Sequence, residues 1–324
     1  MIWVTWRQHR TEALITGIVF IIIVVDLLIS GMNLAAAYQQ MGVASCLAHS
    51  ANASCTQPIS DFTSALNRII TSFGLPILAI LPLLVGLFIG APAVARELES
   101  GTYRLAWTQS ITRFHWLVTK QALLMGAILL VFATLSVVMW WWNAPVNVSA
   151  GPWIMYDLQG LVPLAYSLFA LVLGIVVGII IRKTLPAMAI TLAVFVLLRV
   201  LIELLLRPHL TPQLTITWAY NQSKAPPIAS TSWIVEKGYI DSQGKMYATP
   251  HDLFPLCVKA GTTDRQAQVT MLASCVQQYH IRHFAAYQPV ERFWLFQGIE
   301  SAIFFALTIF FAVLALWWIR RKVI

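Results

Sequence analysis

Ionisable side chains are scarce in this 324-residue sequence, and those that interrupt apolar runs are the first candidates for chemistry. Asp26, Arg199, Glu203 and Glu300 stand inside such runs, where an ionised group is costly and is found paired or facing a cavity. Arg199 and Glu203 are four residues apart, which places them on one helix face within pairing distance, and Asp26 can approach the same guanidinium from another helix. Counting about 1.5 Å per residue sets Asp26, Arg199 and Glu300 roughly 10–12 Å from the outer ends of their runs, with Glu203 one turn further out. A shared layer of this kind can serve as a structural or gating clamp. It can also be a local ion pair that only neutralises itself, or a contact for a transported molecule.

Other chemistries fare worse. His115, His209, His251, His280 and His283 invite a catalytic or metal reading, but no Gly-x-Ser-x-Gly, no His-Glu-x-x-His and no carboxylate pair beside a nucleophile accompanies them. The nearest approach to a P-loop, Gly238 to Met246, has the wrong spacing and no Ser or Thr after Lys245. No residue is assigned as catalytic or metal-ligating, and no cofactor is expected in this chain. The four cysteines, Cys46, Cys55, Cys257 and Cys275, lack CxxC or His-x-x-x-His spacing for zinc. An oxidising exterior favours two short-range disulfides, Cys46 with Cys55 and Cys257 with Cys275, among the three connectivities that four cysteines allow.

The elements that carry these residues are set by composition. The chain is 59% hydrophobic and only 10% charged, against about 25% charged in an ordinary soluble domain. Several apolar runs reach the roughly 20 residues needed to cross a hydrocarbon core of about 30 Å. We read six spans, 13–32, 69–92, 121–142, 159–181, 185–206 and 293–319, which return the chain to its starting side. Lys and Arg concentrate on one set of connections, at Arg7, Arg10, Arg96, Arg104, Arg113, Lys120, Arg182, Lys183, Arg320, Arg321 and Lys322, whereas the two shorter loops opposite contain only Arg68. The positive-inside rule therefore puts both termini in the cytoplasm. The formal charge of +8 follows this topology and forms no stripe with interleaved aromatics, so nucleic acid is excluded as a partner. Arg7, Arg10 and Ala35-Ala36-Ala37 resemble a cleavable leader, but the apolar stretch is too long, Asp26 lies within it, and the even span count needs it.

The expected fold is an all-α polytopic membrane protein with six transmembrane helices and a small mixed extracellular module between the fifth and sixth. Residues 1–206 make the first five spans, with a cytoplasmic segment at 93–120. Residues 207–292 make the module, and 293–324 the sixth span and tail. Within the module, Trp233 to Tyr247 alternates around Asp241-Ser242-Gln243-Gly244 as a hairpin does, and Asp264 to His280 reads as a helix. The second span carries Gly74, Pro76, Pro82, Gly86, Gly90 and Pro92, enough to kink it more than once. Ala170, Gly174 and Gly178 give the fourth span a small-residue face suited to close packing.

The cytoplasmic segment after the second span is not a plain linker. Glu97 and Glu99 close one helix, Gly101 permits a turn, Tyr103 to Trp107 forms a short amphipathic turn, and Ser110 or Thr112 can cap the next span. Here the sequence resembles the ABC type-2 permease family, in which an Arg-Glu-x-Glu-x-Gly-Thr stretch precedes a Ser/Thr-Arg pair and a Lys entering the third span. Arg96, Glu97, Glu99, Gly101, Thr102, Thr112, Arg113 and Lys120 match that pattern. The similarity extends to the amphipathic start at Trp3 to Arg10 and to Arg292-Phe293-Trp294 before the last span.

The resemblance implies a bacterial cell-membrane exporter subunit without its own ATPase. Its 96–113 segment would be the coupling helix, with Arg96, Glu97, Glu99, Gly101, Thr102, Tyr103, Arg104, Trp107 and Arg113 facing a separate ATP-binding subunit. ATP and Mg would reside on that partner, and a second permease chain, in a homodimer within the lipid, would complete the path. The large outer module departs from the short re-entrant hairpin of many relatives. A membrane sensor or assembly scaffold shares the topology, and a secondary transporter could use Asp26 or Glu203 for protons, although the two halves show no repeat.

Overall fold

A computed structural model describes residues 2–48, 55–72, 75–101, 112–220, 231–258 and 264–321. Among them are six helices long and apolar enough to cross a membrane, at Thr16–Gln40, Ile77–Ser100, Arg113–Trp142, Pro152–Ile181, Thr184–His209 and Val290–Arg321. A small sheet lies between the fifth and sixth in chain order, so the protein is an all-α multi-pass membrane fold with one mixed module. The first span continues the amphipathic start without a break, in one helix over Ile2–Gln40. Contacts divide the chain into two compact units, Met1–Arg207 with Trp294–Ile324, and Pro208–Phe293.

In the membrane unit the fourth span is central. Every residue from Val162 to Ile179 except Leu164 is buried. The expected small-residue face explains how. A Cβ on Gly174 would come within 2.5 Å of the Gly86 carbonyl oxygen and 2.6 Å of the Ala91 nitrogen, and one on Gly178 within 2.7 Å of the Ala91 oxygen. The second span therefore lies backbone to backbone against the fourth, an approach that only residues without side chains permit.

The second span pays for its prolines in regularity, as the sequence predicts. It runs as 3-10 turns over Leu75–Ile80, a short α-helix over Leu81–Leu84, a π segment over Val85–Gly90, and α-helix again over Ala91–Ser100. Pro82 opens the short α-helix, and Pro92 sits in the first turn of the last one, where a missing N–H costs nothing. The fifth span has a second π segment at Ile202–Leu206, followed by a 3-10 turn at Arg207–His209.

Two connections between spans are built from helices and turns. Helices Val43–Ala48 and Thr56–Ser72 follow the first span and are joined by a Cys46–Cys55 disulfide with Cα atoms 5.8 Å apart. Phe62 of the second helix meets Tyr38 edge-on at 5.5 Å. Residues Pro152–Leu158 form 3-10 turns leading into the fourth span, so that span starts earlier than 159.

The second unit is a four-stranded antiparallel sheet in the order β1-β4-β2-β3, with β1 Leu214–Ala219, β2 Trp233–Ile240, β3 Met246–Tyr247 and β4 Arg282–Gln288. β2 and β3 make the expected hairpin, Tyr239 opposite Tyr247. Its turn is organised by Asp241, whose carboxylate accepts the Gln243 N–H at 2.8 Å, the Lys245 N–H at 2.9 Å and the Tyr247 hydroxyl at 3.1 Å. The Lys245 backbone bond, above all, holds that carboxyl below its ordinary range. The expected helix runs Arg265–Gln278, is capped by Asp264 onto the Gln266 N–H at 3.1 Å, and stops just before His280, whose φ is +50°. A Cys257–Cys275 disulfide ties it to the short helix Phe254–Cys257.

Candidate functional site

Two groups of polar residues in the membrane unit stand out, one at each end of the second span. The first is the acidic turn. The helix Ala91–Ser100 ends at Gly101 in the left-handed conformation, φ +73°, a stop that glycine accepts without strain. Just before it, Glu97 accepts a hydrogen bond from Lys120 Nζ at 2.6 Å. Lys120 belongs to the third span and is 7% exposed, so this ion pair is largely withdrawn from water. Glu99 points elsewhere: its Oε2 accepts the Thr184 backbone N–H at 2.9 Å and the Thr184 hydroxyl at 2.7 Å. Thr184 is the first residue of the fifth-span helix, so a carboxylate occupies the positive end of that helix dipole and satisfies an orphan N–H.

The two acids expected to face a partner are therefore also internal ties, one to the third span and one to the fifth. Arg96 is exposed on the same helix. Thr112 caps the third span by accepting the His115 N–H at 3.3 Å, and Arg113 opens that span half-buried. Arg320 stacks over the Phe114 ring at 3.9 Å, which joins the end of the sixth span to the start of the third. Thr102, Tyr103, Arg104 and Trp107 lie outside the described residues.

The second group is a polar network at the other end of the bundle. Glu300, 1% exposed, accepts from Arg207 Nε and Nη2, both at 3.0 Å, from the Tyr156 hydroxyl at 3.0 Å, and from the Tyr166 hydroxyl in a short bond. Asp157 is shared by two guanidinia, Arg207 at 2.8 Å and Arg199 at 3.1 Å. Arg199 also lies over the Tyr166 ring, and Arg207 over the Tyr156 ring. The Arg199 Nη1 donates to the Ala79 carbonyl of the second span at 3.0 Å. One turn from Glu300, Gln297 accepts the Leu161 and Val162 N–H groups, both at 3.1 Å, and donates to the Tyr156 carbonyl at 2.9 Å. A single stretch of the sixth span thus caps the fourth span and neutralises the fifth. Two arginines and two carboxylates sum to zero charge, and each is hydrogen-bonded, the condition under which buried charge is tolerated.

Of the four intramembrane charges that the sequence singles out, Arg199 and Glu300 join this network, linked through Asp157 and Arg207. Glu203 is exposed, and neither it nor Asp26 has an ion-pair partner among the described residues. Glu203 falls inside the π segment that begins at Ile202, while Arg199 turns to Asp157 instead. The same segment brings in Arg207. Eight residues of regular helix would leave Arg207 about 80° from the Arg199 face, and a π turn winds the chain back by about one residue, or about 100°. Both guanidinia then reach Asp157. No three His, Cys, Asp or Glu side chains converge as metal ligands among the described residues.

A family model described as ABC-2 membrane transporter related matches residues 17–207, from the first span through the fifth. No curated protein and no solved structure matches the chain.

Proposed function

Because this chain belongs to the ABC-2 membrane transporter related family, we propose that it is the permease subunit of an ATP-driven exporter in a bacterial cell membrane. It binds a separate ATP-binding subunit, which carries ATP and Mg, and pairs with a second permease chain to enclose a path. Segment 96–113 is the coupling element, on the cytoplasmic side together with both termini. Export rather than import rests on the family resemblance.

The observation that carries this reading is the pair of ties made by the acidic turn. Glu97 holds the third span through Lys120, and Glu99 holds the N-terminus of the fifth through Thr184. A push on residues 102–111 from a partner would reach three spans at once through the second, third and fifth. An isolated interfacial loop would have no use for two acids each tied to a different span.

Docking and transmission are separable by experiment. Deletion of 103–107 is expected to release a co-purified ATP-binding subunit, whereas Glu99→Ala is expected to keep the partner bound and lower the transport-linked ATPase rate. Retention of the partner after the deletion would count against the coupling role. Labelling of a Ser100→Cys variant by an impermeant reagent applied outside intact cells would overturn the orientation.

A further inference from the structure

The second and fifth spans are joined at two separated points. At one end Glu99 bonds Thr184, and at the other Arg199 donates to the Ala79 carbonyl. On the fifth span these points are about 22 Å apart, from fifteen residues at about 1.5 Å each. Between them the second span is irregular, and its middle is fixed against the fourth by the close glycine packing. The segment free to change is Leu75–Ile80, wound as 3-10 turns.

The Arg199 contact falls where that segment needs a donor. In a 3-10 turn the Ala79 carbonyl would bond the N–H three residues on, but that residue is Pro82, which has none. Arg199 supplies the missing hydrogen bond at 3.0 Å. Rewinding the six residues of this segment from about 2.0 Å to about 1.5 Å per residue would shorten the span by about 3 Å. The remainder of the network is built to stay. Glu300 is almost wholly buried and holds four hydrogen bonds, whereas Arg199, 17% exposed, is tied to the network by one ion pair with Asp157 and by its stacking on the Tyr166 ring.

We propose that Arg199 is the positioning residue of an outer latch: its bond to Ala79 keeps the outer end of the second span in its longer 3-10 form, and its release during transport lets Leu75–Ile80 rewind and retract. The Arg207–Glu300–Tyr156–Tyr166 group is the fixed anchor against which the latch works. This inference rests on the permease reading for the force that opens the latch, delivered at Glu99.

The test uses the full chain bound to its ATP-binding subunit in nanodiscs. All four native cysteines are disulfide-bonded, so spin labels attach only to added ones. Ile77→Cys and Leu161→Cys, both at exposed positions, report the distance from the 3-10 segment to the start of the fourth span by pulsed electron resonance. Trapping the complex with ATP and vanadate is expected to shift that distance by about 3 Å, the rewinding estimate. Arg199→Met is expected to produce the same shift without nucleotide. Arg199→Gln, whose shorter side chain falls short of the Ala79 carbonyl but stays polar, is expected to do the same, so the outcome does not hang on one variant folding. An unchanged distance in both variants, or in the trapped wild-type complex, overturns the latch. Loss of the ATP-binding subunit from wild-type preparations would instead sink the permease reading.

Discussion

Replacing Arg207 with Met sets the charge of the network against its neutral hydrogen bonds. Glu300 is 1% exposed and takes two of its four hydrogen bonds from Arg207. Without that guanidinium a carboxylate stays buried beside two phenols, and breaking a buried ion pair in this way costs about 3–5 kcal/mol. Tyr166→Phe removes two interhelical hydrogen bonds, one donated to Glu300 and one accepted from Arg207 at 3.2 Å, each worth about 0.6 kcal/mol on average and about 1.7 kcal/mol at most inside a membrane bundle. The double variant Arg207→Met/Glu300→Leu removes one charge of each sign and leaves Arg199 paired with Asp157, so it should cost less than Arg207→Met alone. Reversible unfolding by SDS titration in bicelles measures the wild type, Arg207→Met, Glu300→Leu, the double variant and Tyr166→Phe. The expected cycle has a coupling energy of about 2–3 kcal/mol. Additive costs, or a Tyr166→Phe cost equal to that of Arg207→Met, would refute the view that charge compensation holds this site.

Three further outcomes follow from the geometry. Glu97→Lys sets two ammonium groups together at the largely buried Lys120 position and should lose a charge-assisted bond worth about 1.5–3 kcal/mol; the swap Glu97→Lys/Lys120→Glu should restore the yield of monodisperse protein, and failure of the swap would show that Glu97 acts through some other contact. Gly174→Val drives a side chain into the backbone of the second span and should destabilise by at least about 1–3 kcal/mol, read as lost folded yield, whereas the same change at Gly17, which faces open space, should leave yield unchanged. In the mixed module, the Asp241 carboxyl is held below its ordinary value of 3.8, so its stabilising contribution is full above that value and lost as pH falls through the lower folded-state value. Protease resistance of the 241–247 hairpin in the intact chain should therefore fall in acid for the wild type, and show less acid dependence in Asp241→Asn.

Much of the architecture is legible in the sequence because it depends on length and composition. Twenty-residue apolar runs can do little but span, and a Gly-x-x-x-Gly face can do little but pack. The hairpin and the Asp264 cap are equally local. The site is only half legible. Arg199 and Glu300 announce themselves as charges in apolar runs, but depth along a helix does not fix direction around it. Glu203 sits one regular turn from Arg199, yet Arg199 pairs with Asp157, which lies before the expected fourth span. Arg207 reads as the first residue beyond the span, off the Arg199 face by regular counting. Tyr156 and Asp157 sit before the expected start of the fourth span, in 3-10 turns whose apolar pattern does not extend the helical period. One signal was available: Arg207, Tyr156, Asp157 and Tyr166 together place a cation, an anion and two phenols at neighbouring span ends on the same side.

The balance of two positive and two negative groups has an electrical consequence. Membrane potential does work of about 2.3 kcal/mol on each elementary charge carried through 100 mV. A neutral quartet that moves as one body feels almost none of it, so a cell can polarise or depolarise without biasing this end of the bundle. Arg207→Met or Glu300→Leu alone leaves one charge uncompensated and would make that end sensitive to voltage, a property the intact arrangement is built to lack.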